Sequence, residues 1–174
     1  MIALIPVFPA AVRAEHSAPV LTELCDIGER PADFDGKFVQ VRARIIVDFE
    51  ISVIEFPSCK ARVIDGIWFE YGRGPSQATL WCCGDLRFRG DVHVRLDDNF
   101  ARFDRYVKAR RNKKPLYAVT ATMVGRLDAV PTETCRDGKH ICPKGGGFGH
   151  FGMFSARLVL QSVSDVRAEQ ITVP

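Results

Sequence analysis

The stretch FVQVRARIIV, Phe38–Val47, is the clearest strand in the sequence and indicates the fold class. Two sets of residues alternate along it: Val39, Val41, Ala43, Ile45 and Val47 in one set, and Gln40, Arg42, Arg44 and Ile46 in the other. A period of two with one apolar side is typical of a strand that buries one face. We therefore expect a protein built mainly from β-structure.

Further extended segments lie on both sides of a single helical segment. A short strand over residues 51–56 ends at Pro57, and residues 67–71 follow with an apolar face. Residues 78–83 form another short extended piece. Asp97 or Asp98 can cap a helix over residues 98–111, because Phe100, Phe103 and Val107 fall at helical spacing. Alternation returns over residues 116–130, and residues 155–166 are the last strand.

The order is strand, strand, strand, helix, strand, strand, after a short helix at residues 21–27. A five-stranded Greek-key barrel with its helix between the third and fourth strands is the OB-fold arrangement. The chain of 174 residues is long enough for one domain and short for two. We expect an all-β dominated, five-stranded OB-like Greek-key barrel with one helix between strands 3 and 4 and a short N-terminal helix.

Four short motifs resemble OB-like domains of small exported bacterial proteins, a largely uncharacterised group. They are DFDGKFVQVRARI at residues 33–45, PSC at 57–59, IWFEY at 67–71 and GFGHFGMFSARLVLQSVSDV at 147–166. The resemblance covers most of the chain and implies an OB-like barrel and export, without assigning catalytic residues. The resemblance also implies a disulfide between Cys25 and Cys59.

The first residues are typical of an export signal. The chain is apolar from Met1 to Val12, and Val12-Arg13-Ala14 has the small residues that signal peptidase needs. We expect a signal peptide over residues 1–14, a single domain over 15–174, and a periplasmic or secreted protein. The run is too short for a transmembrane anchor. The alternative is an N-terminal strand or arm, which Pro6 and Pro9 disfavour.

All six cysteines follow the expected cleavage site, so export predicts disulfides. An oxidising compartment favours a pair between Cys135 and Cys142. The adjacent Cys82 and Cys83 either form a vicinal disulfide or pair with different partners, and the sequence alone leaves that choice open.

The stretch GGGFGHFG at residues 145–152 lies between the fourth and fifth barrel strands. A phosphate-binding loop needs a following helix N-terminus, and here a strand follows. We expect a structural loop in which Gly147, Gly149 and Gly152 allow tight turns and a hydrogen bond from His150 holds the loop. The candidate ligand-binding residues at the barrel mouth are His150, Phe148, Phe151 and Trp68.

Two other functions are alternatives for this sequence. Cys135, His140, Cys142 and His150 contain sulfur and imidazole ligands for zinc or copper, although their spacing is not that of a zinc finger. The basic run over residues 102–114 raises nucleic acid as a partner, but the expected compartment favours a solvated helix face. Nucleic acid is therefore disfavoured, and neither a metal nor a cofactor is expected.

The hypothesis from sequence is an exported, disulfide-stabilised module that binds an unknown small molecule or an envelope protein and is not an enzyme. The alternative is a metal protein or enzyme built on the Cys135, His140, Cys142 and His150 cluster.

Overall fold

The computed structural model describes residues 18–47, 52–72, 92–109 and 116–171. These ranges contain two α-helices, α1 at Leu24–Glu29 and α2 at Asp98–Ala109. The strands are β1 at Val20–Leu21, β2 at Phe38–Val47, β3 at Ser52–Glu55, β4 at Ile67–Tyr71, β5 at Leu116–Ala129, β6 at Thr132–Thr134, β7 at Ile141–Pro143 and β8 at Ala156–Ile171. In the ranges given above, neither α-helix has the length and apolar character that a bilayer-crossing helix needs.

Five strands close into a barrel in the order β2-β3-β4-β8-β5, with β5 pairing back onto β2. The β4–β8 pair is parallel and the other four pairs are antiparallel. Helix α2 lies in the chain between the third and fourth barrel strands, and α1 precedes the first. The predicted OB-like barrel with these two helices is confirmed.

The predicted alternation in β2 is present. Val39, Val41, Ala43 and Ile45 are buried, whereas Arg42 and Arg44 are exposed. The same period continues in β5, where Val119, Ala121, Met123 and Leu127 are buried. These side chains fill the barrel, so the period-two pattern identified the inward faces correctly.

Helix α2 packs its apolar face against the barrel core. Phe103 is fully buried, and its ring centroid lies 5.9 Å from that of Phe69. The backbone N–H of Phe100 donates to Asp97 Oδ1 over 2.9 Å, so Asp97 is the helix cap. The hydroxyl of Tyr71 donates to Asp104 over 3.0 Å. Burial and the Asp104 carboxylate both raise the pKa of Tyr71 far above its ordinary value.

Two disulfides match the expected pairs. Cys25–Cys59 joins α1 to the segment after β3, with the Cα atoms 5.5 Å apart. Cys135–Cys142 joins the ends of the turn between β6 and β7, with the Cα atoms 5.1 Å apart. Disulfides of this kind form and persist in oxidising environments.

Some element bounds differ from the predictions. The first helix is Leu24–Glu29 rather than 21–27, and the last strand continues beyond residue 166 to Ile171. Several expectations lie outside the described residues: the signal peptide at 1–14, the extended piece at 78–83 with Cys82 and Cys83, and the end of the basic run after residue 109.

Strand β4 is buried on both of its faces. Ile67, Phe69 and Tyr71 point into the barrel as predicted, but Trp68 and Glu70 on the opposite face are buried as well. A strand with solvent on one side would leave those two side chains exposed. Something therefore covers the outer face of the barrel at this strand, and that cover defines the candidate site.

Candidate functional site

The candidate site begins as a row of side chains across the outer face of β4, β8 and β5. Trp68 on β4 is paired in register with Arg157 on β8, which in turn is paired with Asp128 on β5. Glu70 and Arg126 lie one pleat further along the same face, because each is paired with Val159. The period of two therefore brings an indole, two guanidinium groups and two carboxylates onto one surface.

These groups form one connected network of hydrogen bonds and ion pairs. Arg157 Nη2 lies 2.6 Å from Asp128 Oδ2, and Arg157 Nη1 lies 3.5 Å from Glu70 Oε2. Arg126 meets Asp128 through two atoms, with Nε 2.7 Å from Oδ1 and Nη2 3.0 Å from Oδ2. Trp68 Nε1 donates to Glu70 Oε1 over 3.0 Å. The carboxylate of Asp128 thus accepts from both arginines at once.

The network runs from the protein interior to an accessible edge. The side chains of Arg157 and Glu70 are 2% and 5% exposed, whereas those of Arg126 and Asp128 are 19% and 16% exposed. A buried ion needs a partner, because an unpaired charge out of water costs several kcal/mol. Arg157 is therefore held by its two carboxylates, and the Arg126–Asp128 pair is the part that a ligand can reach.

The glycine-rich loop covers this surface. Phe148 and Phe154 bond to each other's backbones across the loop, with N···O distances of 2.7 and 3.1 Å. The Phe154 ring centroid lies 5.3 Å from that of Trp68. Gly149 lies directly on the indole, and a Cβ at this glycine would collide with the Trp68 ring. The loop can lie this close to the barrel because glycine has no side chain there.

The three glycines that were predicted to shape the turn do so in two ways. Gly149 and Gly152 have φ values of 72° and 66°, which favour glycine, as expected. Gly147 has no positive φ and is instead confined by space, since a Cβ there would lie 2.5 Å from Pro143 Cγ and 2.7 Å from the carbonyl oxygen of Gly152. The loop is thus a built element of the fold, closed by backbone hydrogen bonds.

A cleft of about 650 Å³ opens between the loop and the charged network. Phe148 lies on one side of it, with the Arg157 guanidinium carbon 4.7 Å from its ring centroid. The backbones of Gly145 and Gly146 and the carboxylate of Asp35 also border the cleft. Asp35 Oδ1 accepts from the backbone N–H of Ala129 over 2.8 Å, which fixes this carboxylate at the rim.

The structure places the four predicted ligand-binding residues in different surroundings on and under the loop. Phe148 borders the cleft, but the cleft lies on the outer wall of the barrel rather than at its mouth. Trp68 is 1% exposed beneath Gly149. His150 is partly buried, with its ring centroid 3.9 Å from that of Phe151. The hydrogen bond expected to hold the loop through His150 stays a prediction.

Phe151 borders a second groove, of about 440 Å³, on the other side of the loop. Its side chain is 87% exposed at a φ of 53°, and Met153 beside it is 63% exposed. A bulky residue with positive φ is strained, so the loop backbone around Phe151 is held by its neighbours. The groove also includes the Cys135–Cys142 disulfide and His140.

The alternative metal cluster has a different arrangement from the one that a metal site requires. Cys135 and Cys142 bond to each other, which leaves neither as a thiolate ligand. In the ranges that the structure describes, no group of three or more His, Cys, Asp and Glu side chains is placed to hold a metal ion. The ring of His140 instead pairs with Asp137 through Nδ1.

The His140–Asp137 pair shifts both groups toward their charged forms. The hydrogen bond that His140 Nδ1 donates to the Asp137 carboxylate raises the pKa of His140 above its ordinary value of 6.5. The same bond, with backbone N–H donors at residues 139 and 140, lowers the pKa of Asp137 to about 2. Both side chains are exposed at the tip of the β6–β7 turn, so this ion pair stabilises a surface turn.

Glu70, Arg126, Asp128 and Arg157 were not among the candidates from sequence. Their signal was present, because each occupies an outward position in a strand whose inward residues are apolar. The outward tryptophan of β4 was a second signal, since an indole on a solvent face is uncommon. The alternation along the strands did not predict that a loop covers these residues.

No family model, curated protein or solved structure matches this chain. The function must therefore be argued from the geometry of the site itself.

Proposed function

We propose that this chain is an exported, disulfide-stabilised binding module without catalytic activity, and that the cleft beside Phe148 and Asp128 binds a small polar molecule. The observation that carries the proposal is the cleft itself, which lies against a charged network already fixed by mutual hydrogen bonds. Binding sites of this volume commonly combine apolar walls with a few fixed polar groups.

Preorganisation supports binding. Arg126 is held on Asp128 by two hydrogen bonds, and Asp128 is held in turn by Arg157. Side chains that are already ordered lose little conformational entropy when a ligand arrives. The glycine-rich loop that covers the network is fixed as well, since the backbone hydrogen bonds between Phe148 and Phe154 close it. The cleft therefore presents a constant set of groups, which suits recognition of one kind of ligand.

Export is supported by the disulfides and by the apolar first residues. A reducing cytosol does not maintain structural disulfides in most organisms, whereas the periplasm and the exterior do. Cys25–Cys59 and Cys135–Cys142 both have native-like Cα separations. An extracellular or periplasmic module of this kind would bind a solute, or a polar group on an envelope component.

The experiment is a screen of a small-molecule fragment library by NMR, with the purified, oxidised protein and backbone amide signals as the readout. We expect hits whose shifts map to residues 145–149 and 126–130. Val130 borders the cleft, so Val130→Trp should fill it and abolish these shifts. Val63→Trp is the matched control, because Val63 is 41% exposed beside α1 and away from the cleft.

Hits that map elsewhere, or hits that survive Val130→Trp unchanged, would contradict the proposal. Turnover of any hit, seen as new signals that grow with time, would favour the enzyme alternative instead.

A further inference from the structure

We infer that the ligand of this cleft is a neutral polyhydroxylated molecule, namely a short saccharide or a related polyol. The inference rests on the proposed function in one respect, that the cleft binds a small molecule at all. It adds the chemical class, which follows from charge, from hydrogen-bonding capacity and from the aromatic wall.

Charge disfavours an ionic ligand of either sign. The deep part of the cleft holds two guanidinium groups and two carboxylates, which neutralise one another in pairs. An anion would approach the carboxylates of Glu70, Asp128 and Asp35. A cation near Asp128 would be repelled by Arg126 and Arg157, whose nitrogens lie 2.6 to 3.2 Å from the Asp128 oxygens. At this network of two arginines and two carboxylates, either ion must break an existing pair, which leaves a buried charge without its partner.

Hydrogen-bonding capacity favours hydroxyl groups. Asp128 Oδ1 accepts from Arg126 Nε, and a carboxylate oxygen has a second lone pair for another donor. Asp35 accepts through Oδ1 from Ala129, and its carboxylate borders the same cleft. Glycine backbone at residues 145 and 146 forms a second border of the cleft, where N–H groups are donors. A ligand that both donates and accepts at neighbouring atoms satisfies these two borders, and adjacent hydroxyls do so.

The aromatic wall gives such a ligand an apolar surface. Phe148 is partly buried, and its orientation is set by the Arg157 guanidinium at 4.7 Å and by the backbone bridge to Phe154. A sugar ring has an apolar C–H face as well as its hydroxyl edge, so it can contact a flat phenyl ring while its hydroxyls meet the polar borders. The volume of about 650 Å³ is in the range of small-ligand sites.

The probes are three molecules with one ring and different charge: methyl glucoside, glucuronate and glucosamine. The same series is repeated with galactose-type and mannose-type rings and with neutral disaccharides. Amide signals of residues 145, 146 and 129 report binding at the cleft. We expect neutral members to bind, and charged members of the same ring to bind about tenfold or more weakly, because they disrupt a paired charge.

Two variants test the assigned contacts. Phe148→Leu keeps an apolar side chain and removes the flat ring, so neutral saccharides should bind more weakly while the fold is retained. Asp35→Asn removes a negative charge at the rim that repels anions, so glucuronate and the neutral glycoside should come closer together in affinity. Asp137→Asn is the control, because Asp137 lies on the β6–β7 turn and does not border the cleft.

The outcomes separate the two proposals. If the fragment screen maps to the cleft but no neutral saccharide in the series shifts its amides, the ligand class is wrong and the binding site stands. If glucuronate or glucosamine binds as tightly as the neutral glycoside, the charge argument is wrong. If neither fragments nor saccharides bind at the cleft, both proposals fail.

Discussion

Arg157 and Asp128 face each other across the β8–β5 pair, and the Arg157 guanidinium reaches the Asp128 carboxylate with both Nη2 and Nε, at 2.6 and 3.2 Å. Arg157 is also bonded to Glu70 on the other neighbouring strand. One guanidinium therefore connects three adjacent strands on the outside of the barrel.

Removing the Arg157 charge should destabilise the fold strongly. Arg157→Met keeps much of the side-chain volume but removes the guanidinium that pairs with Glu70 and Asp128. Removing one partner of a buried ion pair in this way costs about 3–5 kcal/mol. Urea unfolding followed by circular dichroism measures the loss. Arg167→Met is the control, since Arg167 is an exposed residue on the same strand. Equal small losses in the two variants would show that the network contributes nothing to stability.

Gly149→Ala should be more damaging than Gly138→Ala. Both glycines have a positive φ, 72° and 67°, so each alanine variant bears a backbone strain of about 1–2 kcal/mol. Only at Gly149 would the new Cβ also strike the Trp68 ring, whereas at Gly138 it meets nothing within 4 Å. The difference between their free energies of unfolding measures the contact between the loop and the barrel. A difference near zero would mean that the loop does not press on Trp68.

Loss of the two disulfides should have unequal effects. Cys25–Cys59 closes a separation of 34 residues and Cys135–Cys142 one of 7. The loop-entropy relation gives about 4 kcal/mol for the first and about 2 kcal/mol for the second. Paired Cys→Ala variants, unfolded in urea without reductant, provide the comparison. A larger loss from the Cys135–Cys142 pair would contradict the entropic account.

The His140–Asp137 pair should produce a local, pH-dependent ordering of the β6–β7 turn. The pKa of His140 is raised, so its contribution is present below its unfolded value of 6.5 and is lost as the pH rises through the folded pKa. The pKa of Asp137 is lowered to about 2, so its contribution is present above its unfolded value of 3.8 and is lost as the pH falls toward 2. Both contributions to the stability of the turn are therefore fully present between about pH 4 and pH 6.

NMR titration of the His140 ring protons checks this directly. The pKa of His140 should be above 6.5 in the parent chain and should return toward that value in Asp137→Asn. An unchanged pKa in the variant would show that Asp137 is not the cause.

Export should remove residues 1–14. The full chain, expressed in a bacterium with an intact secretion pathway, is expected in the periplasm with Glu15 as its first residue. Mass spectrometry of the purified protein identifies the N-terminus. Protein that accumulates in the cytoplasm with Met1 intact would remove the argument for export.

The barrel was predictable because its evidence is local. In β2 and β5 the alternation of apolar and polar residues depends only on neighbours along the strand, and Asp97 begins α2 by a local hydrogen bond. Such local patterns can be identified in the sequence without knowledge of the rest of the fold.

The candidate cleft was less predictable because its members come from distant parts of the chain. Glu70 occupies an outward position of β4 and is nevertheless buried, beside Trp68 and Arg157 and on the face over which the loop returns. The glycines at 147, 149 and 152 indicated a tight turn correctly, but not the surface against which the turn packs. Burial of an outward face is a tertiary event, which a period of two cannot report.

Arg157 contacts residues that are distant in sequence, and this affects the order in which the protein folds. Glu70 lies 87 residues before it and Asp128 lies 29 residues before it. Contacts at such separations form late and slow the search for the native state, since long loops must close first. A partly folded chain with β2 and β3 paired would therefore have a recognisable hairpin and no ligand site. Recovery of cleft binding after dilution from denaturant should lag behind recovery of β-structure, and its rate would report completion of the whole barrel.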